Sequence, residues 1–302
     1  MSDHPPQSLE ELRTLYIKIR SGEHATRLTE RTLTVLKQML DEPNETATKS
    51  ISEIARENDI NISSITRLAQ KLGFDGFPSL KEVFRRNVKQ RKRFYSEQVK
   101  RFLQKGDTEQ EAIGDTSLLE RVIQDEWSNV MLMADAFDEQ RFGVIIKLIV
   151  NAERIHVVGL RGSYPLAHYL GFYLKMIRDR ITLVGQAGHT LAEDLSVLRP
   201  GDLLIAIGVK PYTRDTVAAC RMGKHQGVDI ISLTDSASSP LAIETDNFLI
   251  TSTAGDFFFS PSVSAMICIE TLLSAVVKQF GDKALARLKH TEYILEKLET
   301  EI

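Results

Sequence analysis

Residues 50–77 read SISEIARENDINISSITRLAQKLGFDGF, and this stretch decides the fold of the first part of the chain. Ile51, Ile54 and Ala55 share one face of a short helix over 50–58. Asp59-Ile60-Asn61 reads as a turn. Over 62–72, Ile65, Leu68 and Leu72 recur at helical spacing, with Asn61 as N-cap. Gly73 stands where a helix C-cap glycine belongs. Two short helices joined by a tight turn, the second polar on one face, describe a helix-turn-helix. In that motif the second helix lies in the DNA major groove, with its N-terminal residues toward the bases.

Ser63, Ser64, Thr66, Arg67, Gln70 and Lys71 are left for the outer face and flanks. Short hydroxyls allow close approach to phosphate, and Arg and Gln have the donor geometry for guanine and adenine edges. A polar helix face is also what any solvated helix shows, and charge decides between the two. The whole chain has 38 Lys and Arg against 41 Asp and Glu, a net of −3 that by itself argues against nucleic acid. The charge is uneven, however. Residues 49–105 hold 14 basic and 6 acidic side chains, whereas residues 106–302 hold 18 and 27. Such asymmetry points to an anionic contact in one half. A basic run at Arg85, Arg86, Lys89, Arg91, Lys92 and Arg93 extends the first patch, supplying the salt-dependent phosphate attraction that a DNA binder needs.

Working outward, residues 28–40 place Leu33, Leu36, Met39 and Leu40 on one helical face, with Thr29 as N-cap and Pro43-Asn44 ending the element. A fourth helix runs from about 78 to 94, with Pro78 in its first turn. The polar stretch 95–115, with Gly106-Asp107 and Gly114-Asp115, is the linker candidate. Residues 116–137 and 138–150 read as amphipathic helices. From 154 short apolar runs alternate with helical patterns: strands at 155–159, 181–185, 203–208, 228–234 and 247–251, helices at 164–177, 189–197 and 213–226. Buried strands separated by helices argue for a parallel sheet covered on both faces. Long helices at 260–280 and 282–300 close the chain.

The segments Ser50-Ile51-Ser52-Glu53-Ile54-Ala55 and Ser64-Ile65-Thr66-Arg67-Leu68-Ala69-Gln70-Lys71-Leu72-Gly73-Phe74-Asp75-Gly76-Phe77 resemble the N-terminal domain of RpiR/MurR-type bacterial transcription regulators. Lys81 matches the terminal lysine of that pattern, and Asn61 stands where a serine is usual. Motif geometry and resemblance together place Ser52, Asn61, Ser63, Ser64, Thr66, Arg67, Gln70, Lys71 and Lys81 against a double-stranded DNA operator.

In the second half, Gly159-Leu160-Arg161-Gly162-Ser163 follows a strand and opens a helix. Glycines there let backbone N–H groups approach an anion at the helix N-terminus, although such turns also serve packing. Gly208-Val209-Lys210-Pro211-Tyr212-Thr213-Arg214 is a polar loop at the carboxyl end of a central strand, where open α/β sheets bind ligands. Lys210 and Arg214 bring cations, and Thr213 a hydroxyl beside a helix start. Residues 140–280 resemble the SIS (sugar isomerase) domain that follows the helix-turn-helix in RpiR-type regulators. Residues 159–163 match its first phosphate loop, usually GxGxS, with Arg161 replacing the middle glycine. Thr234-Asp235-Ser236, Ser239-Pro240-Leu241-Ala242 and Asp246 match a further run. The second loop departs from the usual SxSGxT, keeping only Thr213, and Lys210 can serve as a point charge on an anion instead. The resemblance implies a sugar phosphate as ligand; the departure leaves a carboxylate open. The ligand set is Gly159, Arg161, Gly162, Ser163, Lys210, Tyr212, Thr213, Arg214 and Ser260. Phe257-Phe258-Phe259 cannot all face one core, and reads as core plus pocket wall or dimer interface.

The fold expected is multidomain: an all-α helix-turn-helix domain at 1–93, a helical linker at 94–137, an α/β three-layer (αβα) parallel-sheet SIS domain at 138–285 and a C-terminal helix at 286–302. An isomerase of this fold would need an acid/base residue at the substrate carbons, for which Glu270 and His189 are the candidates. An attached helix-turn-helix makes a non-enzymatic regulator the economical reading. Cys220 and Cys268 read as buried reduced thiols. His156, His168 and His225 lack metal spacing, so neither metal nor cofactor is expected. The N-terminus is no secretory signal, and no stretch of about 18 apolar residues is expected to cross a membrane. The expectation is a cytoplasmic homodimer or homotetramer, because a helix-turn-helix reader uses two copies on a palindromic operator.

Overall fold

In the computed structural model, the helices of the first unit are α1 (Leu9–Arg20), α2 (Glu30–Asp41), α3 (Pro43–Thr48), α4 (Ile51–Glu57), α5 (Ile62–Lys71) and α6 (Phe77–Arg91). The structure describes residues 4–91, 94–105, 116–185, 190–255 and 257–300. It divides into two compact units between Lys100 and Arg101, a boundary that α7 (Phe94–Lys105) crosses.

The first unit is an apolar core wrapped by helices whose starts are chemically marked. Thr29 accepts from the Thr32 amide, as its N-cap reading requires. Ser50 and Glu53 form a reciprocal capping box at α4, satisfying two orphan backbone donors. Leu12, Leu36, Leu40, Ile65, Leu68, Leu80 and Phe84 are fully buried. Three details go beyond the expectations. Helix α1 precedes the elements expected from residue 28 onward; Ser8 caps it, and Leu9, Leu12, Tyr16 and Ile19 bury one face. Pro43 does end α2, but it also opens α3, since a first-turn proline lacks only an N–H that has no helical partner. Residues 94–105, at the start of the expected helical linker, are the helix α7, continuous over the polar stretch from 95. Gly106-Asp107 and Gly114-Asp115 lie outside the described residues, as do Lys92 and Arg93 and the side chains of Lys89 and Arg91.

The second unit contains α8 (Thr116–Asp135), α9 (Glu139–Asn151), β1 (Ile155–Val158), α10 (Tyr164–Ile177), β2 (Ile181–Leu183), α11 (Leu191–Ser196), β3 (Leu203–Ile207), α12 (Arg214–His225), β4 (Asp229–Thr234), β5 (Phe248–Ile250), α13 (Val263–Phe280) and α14 (Asp282–Lys297). The strands form one sheet in the order β2-β1-β3-β4-β5, and every pairing is parallel. Side-chain alternation splits the core. Ile155, Val157, Leu203, Ile205, Ile231, Leu233 and Leu249 pack with α9, α10, α13 and α14. Val158, Leu204, Ala206 and Ile230 face α11 and α12. This is the three-layer αβα arrangement expected.

Helix α8, assigned above to the linker, packs on α13 within the second unit, and α14 starts at Asp282 and packs on α10. Helix α13 is long and apolar enough to cross a membrane by composition, contrary to the expectation that no such stretch exists. Its Ala265, Cys268, Ile269, Leu272 and Val276 are part of the core against the sheet, which accounts for its apolar character.

Candidate functional site

The helix-turn-helix face comes first. Helix α5 turns Ile65, Leu68 and Ala69 inward. Asn61, Ser63, Arg67, Gln70 and Lys71 are exposed, with Ser64 and Thr66 half-buried and Ser52 exposed on α4. The tight turn before α5 holds Asp59 at φ 49, and Arg31 ion-pairs with Asp59 at 2.8 Å. Asn61 occupies the N-cap with extended backbone, yet its side chain makes no capping bond. First-turn N–H groups of α5 are therefore not consumed by that side chain, and helix N-termini suit phosphate.

Two lysines of the expected DNA set have intramolecular roles. Lys71 Nζ donates to the Arg27 carbonyl at 3.0 Å. Lys81 Nζ donates to the carbonyls of Thr48 at 3.2 Å and Lys49 at 2.6 Å, and burial holds its ammonium below the usual lysine range. Arg85 Nε joins it by donating to the Ala47 carbonyl at 3.4 Å. Together they cap the C-terminal end of α3, where carbonyls lack helical partners and the dipole is negative. Arg86 pairs with Glu82. Arg67 and Gln70 make no side-chain hydrogen bond or ion pair among the described residues.

The second site follows from the strand order. From β1 the chain steps outward to β2, and from β3 it continues the other way to β4 and β5, so the topological switch point lies between β1 and β3. Val158 and Ala206 are paired across it. The loops leaving these two strands, 159–163 and 208–213, meet at the carboxyl edge, where doubly wound sheets bind ligands. Gly159 is sterically required: a Cβ there would sit 2.8 Å from both the Ala167 Cβ and the Ser163 carbonyl. Gly162 faces open space. Arg161, in the position usual for glycine, has φ 55, the left-handed conformation that a side chain disfavours. The residue is exposed.

Helices α10 and α12 begin at these loops. Neither Ser163 nor Thr213 spends its side chain on a capping bond. Two helix N-termini thus converge on the switch point without side-chain caps, with Lys210 half-buried and Arg214 exposed nearby. The Lys210–Pro211 peptide is cis.

Tyr212, expected to contact ligand, is buried instead and donates its hydroxyl to Asp235 Oδ1 at 2.6 Å. The Lys210 amide donates to the other oxygen of Asp235 at 3.4 Å. Burial pushes the Asp235 carboxyl above its usual range, against the opposing effects of Tyr212 and Lys210. Asp235 is the residue that site assignment by motif alone missed as an anchor; its place at the end of β4 was the available signal. Ser260 Oγ donates to the Lys210 carbonyl at 3.0 Å, so Ser260 also braces this loop. Phe257 is buried, while Phe258 and Phe259 are exposed, which bears out that three consecutive phenylalanines cannot share one core. Glu270 is exposed midway along α13 and accepts from the Tyr169 hydroxyl at 3.2 Å; His189 lies outside the described residues.

A helix-turn-helix with a separate switch-point site on a parallel sheet defines a two-part transcriptional regulator. Comparison with known proteins agrees. The model of the helix-turn-helix domain of the rpiR family matches residues 15–90, and that of the SIS domain matches residues 148–275. The chain thus joins a helix-turn-helix domain of the rpiR family to a SIS domain, the arrangement of helix-turn-helix transcriptional regulators. It is 26% identical over 258 residues to an uncharacterized HTH-type transcriptional regulator of Clostridium perfringens, covering 82% of this chain and 87% of that one. The sugar isomerase domain of an RpiR transcription factor from Sphaerobacter thermophilus superposes with a TM-score of 0.56 at 29% identity, covering 59% of this chain and 99% of that one. The Vibrio vulnificus NanR protein, solved with ManNAc-6P, superposes with a TM-score of 0.54 at 18% identity over 94% of this chain and 98% of its own, a likeness of fold.

Proposed function

We propose that this chain binds operator DNA through α5 and adjusts that binding in response to a small anionic metabolite, a sugar phosphate, held at the switch point of the sheet. The observation that carries the ligand reading is the convergence of the α10 and α12 N-termini, neither side-chain capped, beside Lys210 and Arg214. Oriented N–H groups and the helix dipoles favour a negative group there. This local field matters because residues 106–302 carry 27 acidic against 18 basic side chains, so the wider field opposes an anion.

On the DNA side, Ser52, Asn61, Ser63, Ser64, Thr66, Arg67 and Gln70 form the reading face, with Arg67 and Gln70 the base readers. The protein acts as a homodimer or homotetramer in the cytoplasm, one α5 per half-site. Ligand alters operator affinity only by binding two arrangements of the molecule unequally.

A thermal-shift screen of sugar phosphates and small carboxylates tests the ligand reading. A sugar phosphate should raise the melting temperature, and Thr213→Ala or Lys210→Ala should reduce that rise. An unchanged rise in both variants places the ligand elsewhere. An operator titration across salt concentrations tests the DNA reading, which requires a steep fall in affinity with salt.

A further inference from the structure

Ile62 is the first residue of α5, and it departs from the pattern of the helices around it. Among the described residues from 4 to 91, it is the one large hydrophobic side chain left exposed, at 47%. Ile65, Leu68 and Ala69 of the same helix are buried, and Ile62 stays outside the core they join. Its surroundings along the chain are polar: Asn61 before it, Ser63 after it, and Arg67 and Gln70 further on are all exposed. Thr66 and Gln70 follow Ile62 at four-residue spacing and so share a ridge of the helix with it. Thr66 Oγ1 donates to the Ile62 carbonyl at 3.3 Å. Its proton is thus used within the helix, and Thr66 brings to the ridge a methyl group rather than a donor.

An apolar side chain on a reading face recognises an apolar feature. Phosphate offers none. Among the base edges of the major groove, thymine alone presents one, its C5-methyl group, which apolar side chains and the threonine methyl contact. A protein partner fits poorly. A single isoleucine falls far below the roughly 800 Å² per partner that stable interfaces bury. Helix α5 also carries Arg67 and Lys71 and no acidic side chain, the balance that suits DNA.

We propose that Ile62, with the Thr66 methyl beside it, contacts the C5-methyl of a thymine in each operator half-site and sets the preference for thymine there. This rests on the DNA reading above, since α5 must be the helix in the groove, and the first turn is the part that approaches the bases. Arg67 and Gln70 read hydrogen-bonding patterns. Ile62 adds a discrimination by shape, because cytosine carries a hydrogen where thymine carries the methyl.

The full-length protein is first used to select its own operator from a pool of random duplexes. Each thymine of the selected duplex is then replaced in turn by deoxyuridine, which removes the methyl and leaves the pairing edge intact. The wild type should lose about 3- to 5-fold in affinity at one thymine per half-site, the size expected for one buried methyl. Ile62→Ala should bind the thymine duplex more weakly and lose nothing further at that deoxyuridine. Ile62→Val, which keeps a branched apolar side chain, should keep the sensitivity, and circular dichroism should be the same for all three proteins. If no deoxyuridine weakens the wild type, or Ile62→Ala loses as much as the wild type at each one, the proposal falls while the operator reading stands. A wild type that selects no duplex overturns both.

Discussion

The Tyr212 hydroxyl lies 2.6 Å from Asp235 Oδ1 and donates to it, joining the loop after β3 to the end of β4. Asp235 is half-buried, and burial still sets its carboxyl above its usual range, so each donor it has is structurally consequential. Tyr212→Phe removes one of them while preserving the ring. Because the acceptor is only half-buried and water can partly replace the lost donor, this substitution should destabilise the protein by about 0.5–1.5 kcal/mol. Urea unfolding measures it. Ligand affinity should fall too, through a loosened Lys210 loop; an unchanged stability would mean that the bond contributes nothing to holding it.

Arg161 should show opposite effects on stability and binding. At φ 55 an L side chain is disfavoured, whereas glycine accepts that backbone at the expense of unfolded-state entropy. Arg161→Gly should therefore stabilise the ligand-free protein by about 0.5–1 kcal/mol. If the guanidinium holds the anion, the same variant should show a smaller ligand-induced rise in melting temperature. Stabilisation with an undiminished rise removes Arg161 from the binding set.

Much of this was legible in the chain. Alternating apolar runs located every strand, because a sheet buried on both faces demands continuous Val, Ile and Leu. Gly159 was legible as a close-approach glycine from its strand-to-helix position. Helix α1 is legible too, from Leu9, Leu12, Tyr16 and Ile19 at helical spacing behind Ser8. What a local string does not carry is the direction of a long side chain. Tyr212 looked like a ligand group beside Lys210, and only the packing of β4 beside β3 reveals Asp235 as its acceptor. Lys81 matched a DNA-binder's pattern, yet its ammonium reaches carbonyls more than thirty residues earlier. The inner face of α8 was hidden for the same reason: Asn129 and Ser252 meet only after the sheet has assembled.

Arg67 and Lys81 should separate reading from bracing. Arg67 is exposed, so Arg67→Ala should leave stability within about 0.5 kcal/mol of wild type. Its operator affinity should fall by roughly 1–3 kcal/mol if it contacts a base. Lys81→Met should instead lower stability by about 0.3–1 kcal/mol, through loss of the α3 cap, with the salt dependence of operator binding unchanged. A reduced salt slope for Lys81→Met would return that lysine to the phosphate contacts.

The second unit should weaken on mild acidification, and His156 is the reason. His156 is buried on β1, 3.4 Å from Asp202, which Arg154 grips through two hydrogen bonds of 2.8 Å. Burial holds the imidazole below its usual range despite the attraction of Asp202 and Asp194, and Arg154 adds to the lowering. Burial alone would raise the Asp202 carboxyl, but Arg154, the Arg199 amide and His156 outweigh it and hold it low. Both groups therefore bind protons more readily when unfolded, so stability rises with pH across their ranges. The His156 contribution is complete above the ordinary histidine value of about 6.5 and is lost as pH falls below it toward the folded value. The Asp202 contribution is lost later, as pH falls below the ordinary value of 3.8. Urea midpoints followed by circular dichroism between pH 7.5 and 5 should fall with acidification, and His156→Gln, which cannot titrate, should flatten that fall. An equally steep fall in His156→Gln would assign the acid sensitivity to other groups.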